Sequence, residues 1–415
     1  QMLALKGMLP GETLVEKPAA KSSARKKPAG KKAVLPPDSD FSRERFYRLL
    51  REYANKDRLK PAAVKAATPK RPEGLTWLRT PLVLSGLGSK SIGRVRQILA
   101  PRGLVPMAGA GGAGGVDAKG LAAVKLAPGS TLAIPYVTGD ADWVGIGTVT
   151  DVLPGGKVIG FGHSMDAAGK VDFPMCTGYI HTIIPTRFDS FKLGSTIRPV
   201  GTLTRDEQTG VGGQVGMTAR MIPMTVRVNQ LDDKRSRTYK FKLIDNWQYT
   251  PYFASSLLST AMGALRNPPE HHYFRYDFRV TFEDLGTYHA SNISTSSWEL
   301  SSDLTNPLEA VMANPFAKPP KLLRIDATVT IVPEVIDARI VQAKLDKSTV
   351  KPGELVRGHL LIEQYRKPRR KLPFSIRIPK TMPDGTYPLT VGGLQVALYA
   401  LRDEQPQTFT PRTIK

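Results

Sequence analysis

The polar and apolar positions of the chain change rhythm several times. After Asp40 and Ser42, residues Phe46, Leu49, Leu50 and Tyr53 recur at i, i+3, i+4 and i+7 among Arg and Glu, which predicts a helix over about 41–55. From Thr80 the texture turns to a short strand, Pro81 to Gly86, then a helical set Ile92, Val95, Ile98 and Leu99 that Pro101 and Gly103 stop. Short β signals follow at Thr131 to Val137, Trp143 to Val149, Lys157 to Phe161, Tyr179 to Pro185 and Met224 to Asn229, separated by Gly, Pro and Asp turns. That rhythm predicts a small barrel or sandwich. One helix interrupts it over residues 253–266, where Phe253, Leu257, Leu258, Ala261, Met262 and Leu265 make one apolar face. Strands return around Tyr276 to Phe282 and Ile325 to Val332. The stretch 336–402, with alternation from Arg339 to Leu345, turns at Lys351 to Glu354 and Met382 to Tyr387, and strands Leu355 to Glu363 and Phe374 to Ile378, reads as an immunoglobulin-like β-sandwich.

The expected fold class is therefore mainly β. Its organisation reads as a basic, largely disordered linker over 1–75, a barrel over 76–230, a β-rich extension over 231–335, the sandwich over 336–402, and a tail over 403–415.

Composition sharpens this picture at three points. A chain of 415 residues buries a core in each of two or three domains. Its single Cys, Cys176, forbids an internal disulfide and reads as a small buried apolar residue. No stretch reaches the ~20 apolar residues of a membrane-spanning helix. The net charge of +23 favours anionic partners, and residues 1–72 hold 18 Lys or Arg against 7 Asp or Glu. Within them the tract Lys17 to Lys32 has the composition of basic chromatin tails, which predicts weak polyanion binding without sequence preference. The opening Gln1-Met2-Leu3 has neither an initiator Met nor a signal peptide, and is read as the start of a fragment of a longer product.

Candidate chemistry is sparse. Gly109 to Gly114 spells G-x-G-x-x-G, but no convincing strand precedes it and no amphipathic helix follows, so it reads as a surface loop rather than a nucleotide cradle. Glu270-His271-His272 puts two imidazoles on opposite faces of a strand, which disfavours joint chelation, so neither a metal nor a cofactor is expected. His181, His289 and His359 stand alone and read as structural. The sharpest arrangement is a predicted hairpin, Gly139 to Thr150, a turn at Pro154-Gly155-Gly156, and Lys157 to His163. It delivers His163 at a strand end among glycines that admit close approach of other groups, where an imidazole can serve as a general base.

The strings Gly145-Ile-Gly-Thr-Val-Thr150 with Gly160-Phe-Gly-His163, then Phe191-Lys-Leu-Gly194, Val200 to Asp206 and Gly210 to Gly216, together with Arg79 to Gly86, resemble the SpoIVB-type serine peptidase family over about Thr76 to Val228. The resemblance implies a trypsin-like half-barrel, His163 as catalytic base, Asp206 as the acid that orients it, a peptide or protein substrate, and an exported chain, periplasmic, cell-surface or secreted. Asp166 is the runner-up acid, and its simpler reading is a turn residue. The Gly-Met-Ser-Gly-Ser-Pro string that bears the family's nucleophile occurs nowhere in the 415 residues. In long members it lies upstream, so the resemblance implies a serine supplied from a segment before Gln1, and an exposed apolar barrel face where that segment docks. Ser164, Ser85 and Ser89 are substitutes on chemistry alone.

Three readings stand in this order: the base-bearing part of a serine endopeptidase, a non-catalytic binding scaffold, and a polyanion binder acting through its basic tract.

Overall fold

The computed structural model describes residues 3–5, 80–86, 89–100, 103–109, 123–185, 190–265 and 268–409. The predicted helix at 41–55, the Lys17 to Lys32 tract and most of the Gly109 to Gly114 loop lie outside the described residues. The described residues fall into two compact units, one within Thr76–Val341, Ile362–Arg370 and Pro411–Lys415, the other within Gln1–Leu75, Gln342–Leu361 and Lys371–Thr410. In the second, β1 (Leu3–Leu5) pairs antiparallel with a short strand at Leu389–Val391.

In the larger unit, β2 (Thr80–Ser85), helix α1 (Ser89–Leu99) and β3 (Leu104–Ala108) lead into β4 (Thr131–Gly139), β5 (Asp142–Leu153), β6 (Lys157–Gly160), β7 (Gly169–Ile184), β8 (Phe191–Glu207) and β9 (Gly210–Val215). Antiparallel pairing runs β4 to β5, β5 to β6, β6 to β9, β9 to β8, β8 to β7, and β7 back to β4. The ring closes into a six-stranded antiparallel barrel. Closure requires strands that bend, and the β7–β8 ladder shifts register at four places, where bulges or other irregularities let the strands curve. The alternation Leu132, Ile134, Tyr136 on β4, with Phe173, Met175, Leu203 and Val211 from its neighbours, places these side chains in one buried core.

The sheet does not stop at the barrel. The last residues of β4 pair with β11 (Arg235–Ile244), which pairs with β10 (Met221–Gln230). Helix α2 (Thr250–Leu265), strands β12 (Tyr273–Phe282) and β13 (Gly286–Ser294), helix α3 (Ser297–Met312) and β14 (Leu322–Val332) complete this part. The strand order is β11-β10-β14-β12-β13, with β10 and β14 parallel. The residue-by-residue alternation of Ile222, Met224, Val226 and Val228 with polar neighbours buries one face of β10. On α2, Phe253, Ala254, Leu257, Leu258 and Ala261 are buried, and on α3 Leu300, Leu304, Leu308 and Met312 recur every four residues. All belong to the core that also fills the barrel.

One division of the sequence reading is therefore bridged. The barrel and the expected 231–335 extension share one thirteen-stranded sheet, because β4 hydrogen-bonds to both. Helix α2 falls at the predicted place, whereas α3 was not predicted. Pro307 inside it masks the helical pattern, although the capping serine Ser296, which accepts the Glu299 N–H, is a start signal in the sequence.

Farther on, β15 (Ala338–Leu345), β16 (Leu355–Gln364) and β17 (Arg370–Arg377) form a smaller three-stranded sheet, β18 is the Leu389–Val391 partner of β1, and Leu394–Glu404 is a helix, α4. The fold is mainly β. Among the described residues no helix is long and apolar enough to cross a membrane.

Candidate active site

The segment 161–168 joins β6 to β7 and carries His163. It is a tight turn whose backbone enters the left-handed region at Phe161 (φ 70°), Gly162 (74°) and Ala167 (58°), and again at Gly169 (72°). For Phe161 and Ala167 this conformation is uncommon and has to be imposed by surrounding contacts. Those contacts come from both flanks. The Phe161 N–H donates to the Thr148 carbonyl at 2.9 Å. On β5 the Phe161 ring lies over Gly147, where a Cβ would fall 1.9 Å from the ring, and the Met165 methyl lies over Gly145, where a Cβ would fall 2.6 Å away. The two glycines of Gly145-Ile-Gly147 are thus the seat of the His163 turn.

The main restraint is Asp206. This carboxylate, on β8 opposite Gly169 in the β7–β8 ladder, is fully buried. It accepts three backbone N–H groups of the turn, from Met165 at 2.7 Å on Oδ1, and from Asp166 at 3.0 Å and Ala168 at 3.2 Å on Oδ2. Backbone donors at a turn have no ladder partner, and a buried carboxylate that gathers three of them resolves both needs at once.

Asp166 accepts a hydrogen bond from the Tyr249 hydroxyl, just before α2, which ties the turn to the helical layer. The Tyr136 hydroxyl donates to the Met165 sulfur at 3.8 Å. Burial first, then the charges of Asp166 and Asp206, push the Tyr136 phenol well above its ordinary range, so it remains a neutral donor. Its ring packs against Phe173, Tyr249 and Phe253 with centroids 5.4, 5.8 and 6.0 Å apart.

His163 itself is half-buried. Its Nδ1 lies 2.7 Å from the Ser164 carbonyl oxygen, which also accepts the Thr80 hydroxyl at 3.3 Å. A carbonyl can only accept, so in the neutral imidazole Nδ1 holds the hydrogen and Nε2 offers its lone pair. This is the tautomer that a general base needs. The Phe161 ring, 5.8 Å between centroids, flanks the imidazole.

The structure thus brings His163 and Asp206 to one turn but not to each other. Both Asp206 oxygens face backbone donors, and no hydrogen bond joins either to the imidazole. The role that the resemblance implied for Asp206, orienting the imidazole directly, is filled by the Ser164 carbonyl. Asp206 positions that carbonyl by holding the next residues. Asp166, the runner-up, is a turn residue whose carboxylate is bonded to Tyr249.

Of the candidate serines, Ser164 contributes its carbonyl, Ser85 is buried at the end of β2 opposite Asp142, and Ser89 opens α1. Among the described residues no serine hydroxyl is bonded to His163. Thr80, Tyr136 and Tyr249 were not found by sequence reasoning. They reach the turn from distant points of the chain, and no local pattern announces them.

The other ionisable groups behave separately. Asp142, at the start of β5, is pushed up to about 6 by burial. Burial and then the Asp142 charge push the Cys176 thiol up to about 12, so it stays protonated and unreactive. His181 pairs with the Ser195 hydroxyl at 3.0 Å and His289 with Asp277 at 2.5 Å. His272 Nδ1 lies 2.6 Å from the Pro269 carbonyl oxygen. Among the described residues no three His, Cys, Asp or Glu side chains converge as metal ligands.

No protein-family model matches the chain, and no curated protein or solved structure matches it.

Proposed function

We propose that the barrel is the base-bearing part of a serine-endopeptidase-like site, with His163 as proton acceptor and the nucleophilic hydroxyl supplied from outside the described residues. The observation that carries this reading is the imidazole whose Nδ1 is anchored on a backbone carbonyl, in a turn clamped by a buried carboxylate at a strand end of a closed six-stranded barrel. In that role Nε2 takes the hydroxyl proton as the oxygen attacks a peptide carbonyl carbon. The imidazolium keeps its Nδ1–H on the Ser164 carbonyl, then returns the proton to the leaving amine as the C–N bond breaks. Water repeats the sequence on the acyl-enzyme. The apolar side chains left exposed around the β5–β6 hairpin and the end of β9, namely Leu153, Ile159, Val215 and Met217, fit a docking place for a nucleophile-bearing segment. An exported location and a protein or peptide substrate accompany this reading.

A second reading has its own support. Because Asp206 serves the turn backbone and not the imidazole, the same geometry suits a binding scaffold in which the turn is purely structural.

Peptide hydrolysis and fluorophosphonate labelling of the protein together with its nucleophile-bearing segment separate the two. His163→Ala is expected to lower kcat on the order of 10⁴-fold, as when a triad member is lost, while leaving the unfolding midpoint nearly unchanged. Unchanged hydrolysis in His163→Ala removes the catalytic assignment, and absence of both labelling and hydrolysis in the wild type leaves the scaffold.

A further inference from the structure

Among the described residues the thirteen-stranded sheet ends at β3 on one side and at β13 on the other. The two edges differ in chemistry. Strand β3 is five residues long and carries Pro106, a residue that cannot donate to an incoming strand. Strand β13, Gly-Thr-Tyr-His-Ala-Ser-Asn-Ile-Ser over Gly286–Ser294, is nine residues long and has no Pro, Lys, Arg, Asp or Glu. It pairs with β12 over nine successive positions without a bulge. Natural edge strands are guarded by charge, proline, bulges or brevity, because their free backbone groups are a template for another strand. This edge uses none of the four, in a chain whose charged content is 23%.

The free groups can be assigned. The Ile293 N–H turns away from β12 and donates to the Asn292 side chain at 2.8 Å, a bond it would exchange for the carbonyl of an incoming strand. Thr281 and Thr287, directly opposed, join their hydroxyls at 3.0 Å, as suits a close pair not hydrogen-bonded through the backbone. By the two-residue alternation, the backbone N–H and C=O of Thr287, His289, Ser291 and Ile293 point away from β12. Side chains there are open to solvent as well, with Tyr288 40% and Ile293 54% exposed.

We propose that β13 pairs antiparallel with β13 of a second copy of this chain, about a twofold axis at Ala290. Among registers that set outward-pointing residues opposite one another, this one alone engages all four of them: Thr287 faces Ile293 of the other copy, and His289 faces Ser291. It lays each exposed Ile293 beside a threonine methyl, and Ala290 meets its own copy. The strand's lack of charge admits a second copy as occupant. With a net charge of +23, most of this protein's surface repels a second copy, and β13 offers a stretch with no Lys or Arg on which two copies can meet. A self-paired strand also needs no pockets for a foreign sequence. The contact is small, so the dimer is weak and in exchange with monomer.

Sedimentation of the full chain tests this. A concentration-dependent monomer–dimer equilibrium is expected, and it should tighten between about 0.05 and 0.5 M salt as screening relieves the repulsion. Ser291→Lys, at an exposed position, places two ammonium groups in the contact and should weaken the dimer about tenfold or more. Ala290→Cys should form an interchain disulfide readily, since residues at the axis meet themselves. Cys176, buried and protonated, does not compete. Asn292→Cys, which faces Tyr288 of the other copy, should cross-link poorly. A chain that stays monomeric at all concentrations overturns the proposal. So does a dimer that Ser291→Lys leaves intact and Ala290→Cys does not trap, since association would then use another surface. If only a foreign extended peptide binds the edge, the second copy is likewise ruled out.

Discussion

Asp206→Ala is expected to destabilise the protein by about 3 kcal/mol or more, the largest effect of any single polar substitution in the barrel. The truncation removes a buried acceptor and leaves three backbone N–H groups, those of Met165, Asp166 and Ala168, facing a void. Each buried donor left without a partner costs about 1–3 kcal/mol. Asp206→Asn fares little better, because one of its two faces becomes an amide donor turned towards a backbone donor. Chemical unfolding of wild type and both variants gives the numbers. The effect should extend to the site, since Phe161 and Ala167 keep unfavourable left-handed backbone angles only while the turn is clamped. A loss below about 1 kcal/mol would mean that the turn is held elsewhere and that Asp206 is incidental to it.

Asp142 gives the second large effect, with the opposite sign. Burial lifts its carboxyl from an ordinary 3.8 to about 6. Between these values the folded state binds the proton more tightly than the unfolded chain does. The group's stabilising contribution is therefore fully present below about pH 3.8 and is lost as pH rises through about 6. At neutral pH the ionised carboxylate opposes folding, by at most about 3 kcal/mol for a shift of this size. Asp142→Asn should accordingly match wild type in stability near pH 4 and exceed it by up to about 3 kcal/mol at pH 7. Comparing the two proteins at each pH cancels the titration of the other carboxylates. A difference that does not grow between pH 4 and 7 would show that Asp142 is solvated in the folded state. Its charge also helps to keep Cys176 protonated, so the same substitution should make that thiol modestly easier to ionise.

Much of the fold was legible in the sequence because its elements are locally consistent. The β5–β6 hairpin is written in glycines and alternation, α2 in an apolar stripe, and β10 and β14 in strict two-residue periodicity. What was not legible depends on pairing between distant segments. The join between barrel and helical layer lies in the last residues of β4, which exchange β7 for β11 while Val137 still pairs with β5, and nothing in Val137-Thr138-Gly139 announces that partner. Helix α3 was hidden by Pro307, and α4 lies in a stretch read as part of a sandwich, although Leu and Ala at its core favour helix.

The site divides in the same way. His163 was legible from the hairpin that presents it. The task of Asp206 was not, because its partners are backbone N–H groups brought to it by the β7–β8 register, and backbone groups leave no trace in residue types. The motif resemblance named two residues that meet at one turn, but the bond it implied between them is not made: each bonds backbone groups of the turn.

The central claim, that His163 is held as a base with Nδ1–H on the Ser164 carbonyl and Nε2 bare, is tested most directly by the nitrogen resonances of the imidazole. With six histidines in the chain, selective ¹⁵N-histidine labelling and a His163→Ala spectrum for assignment make the measurement tractable. In its neutral form His163 is predicted to carry its proton on Nδ1, with Nε2 at the shift of an unprotonated nitrogen, and to lose that preference in Asp206→Ala as the turn is released. A proton found on Nε2 in the wild type, or an averaged pair of tautomers that Asp206→Ala leaves unchanged, would contradict the account.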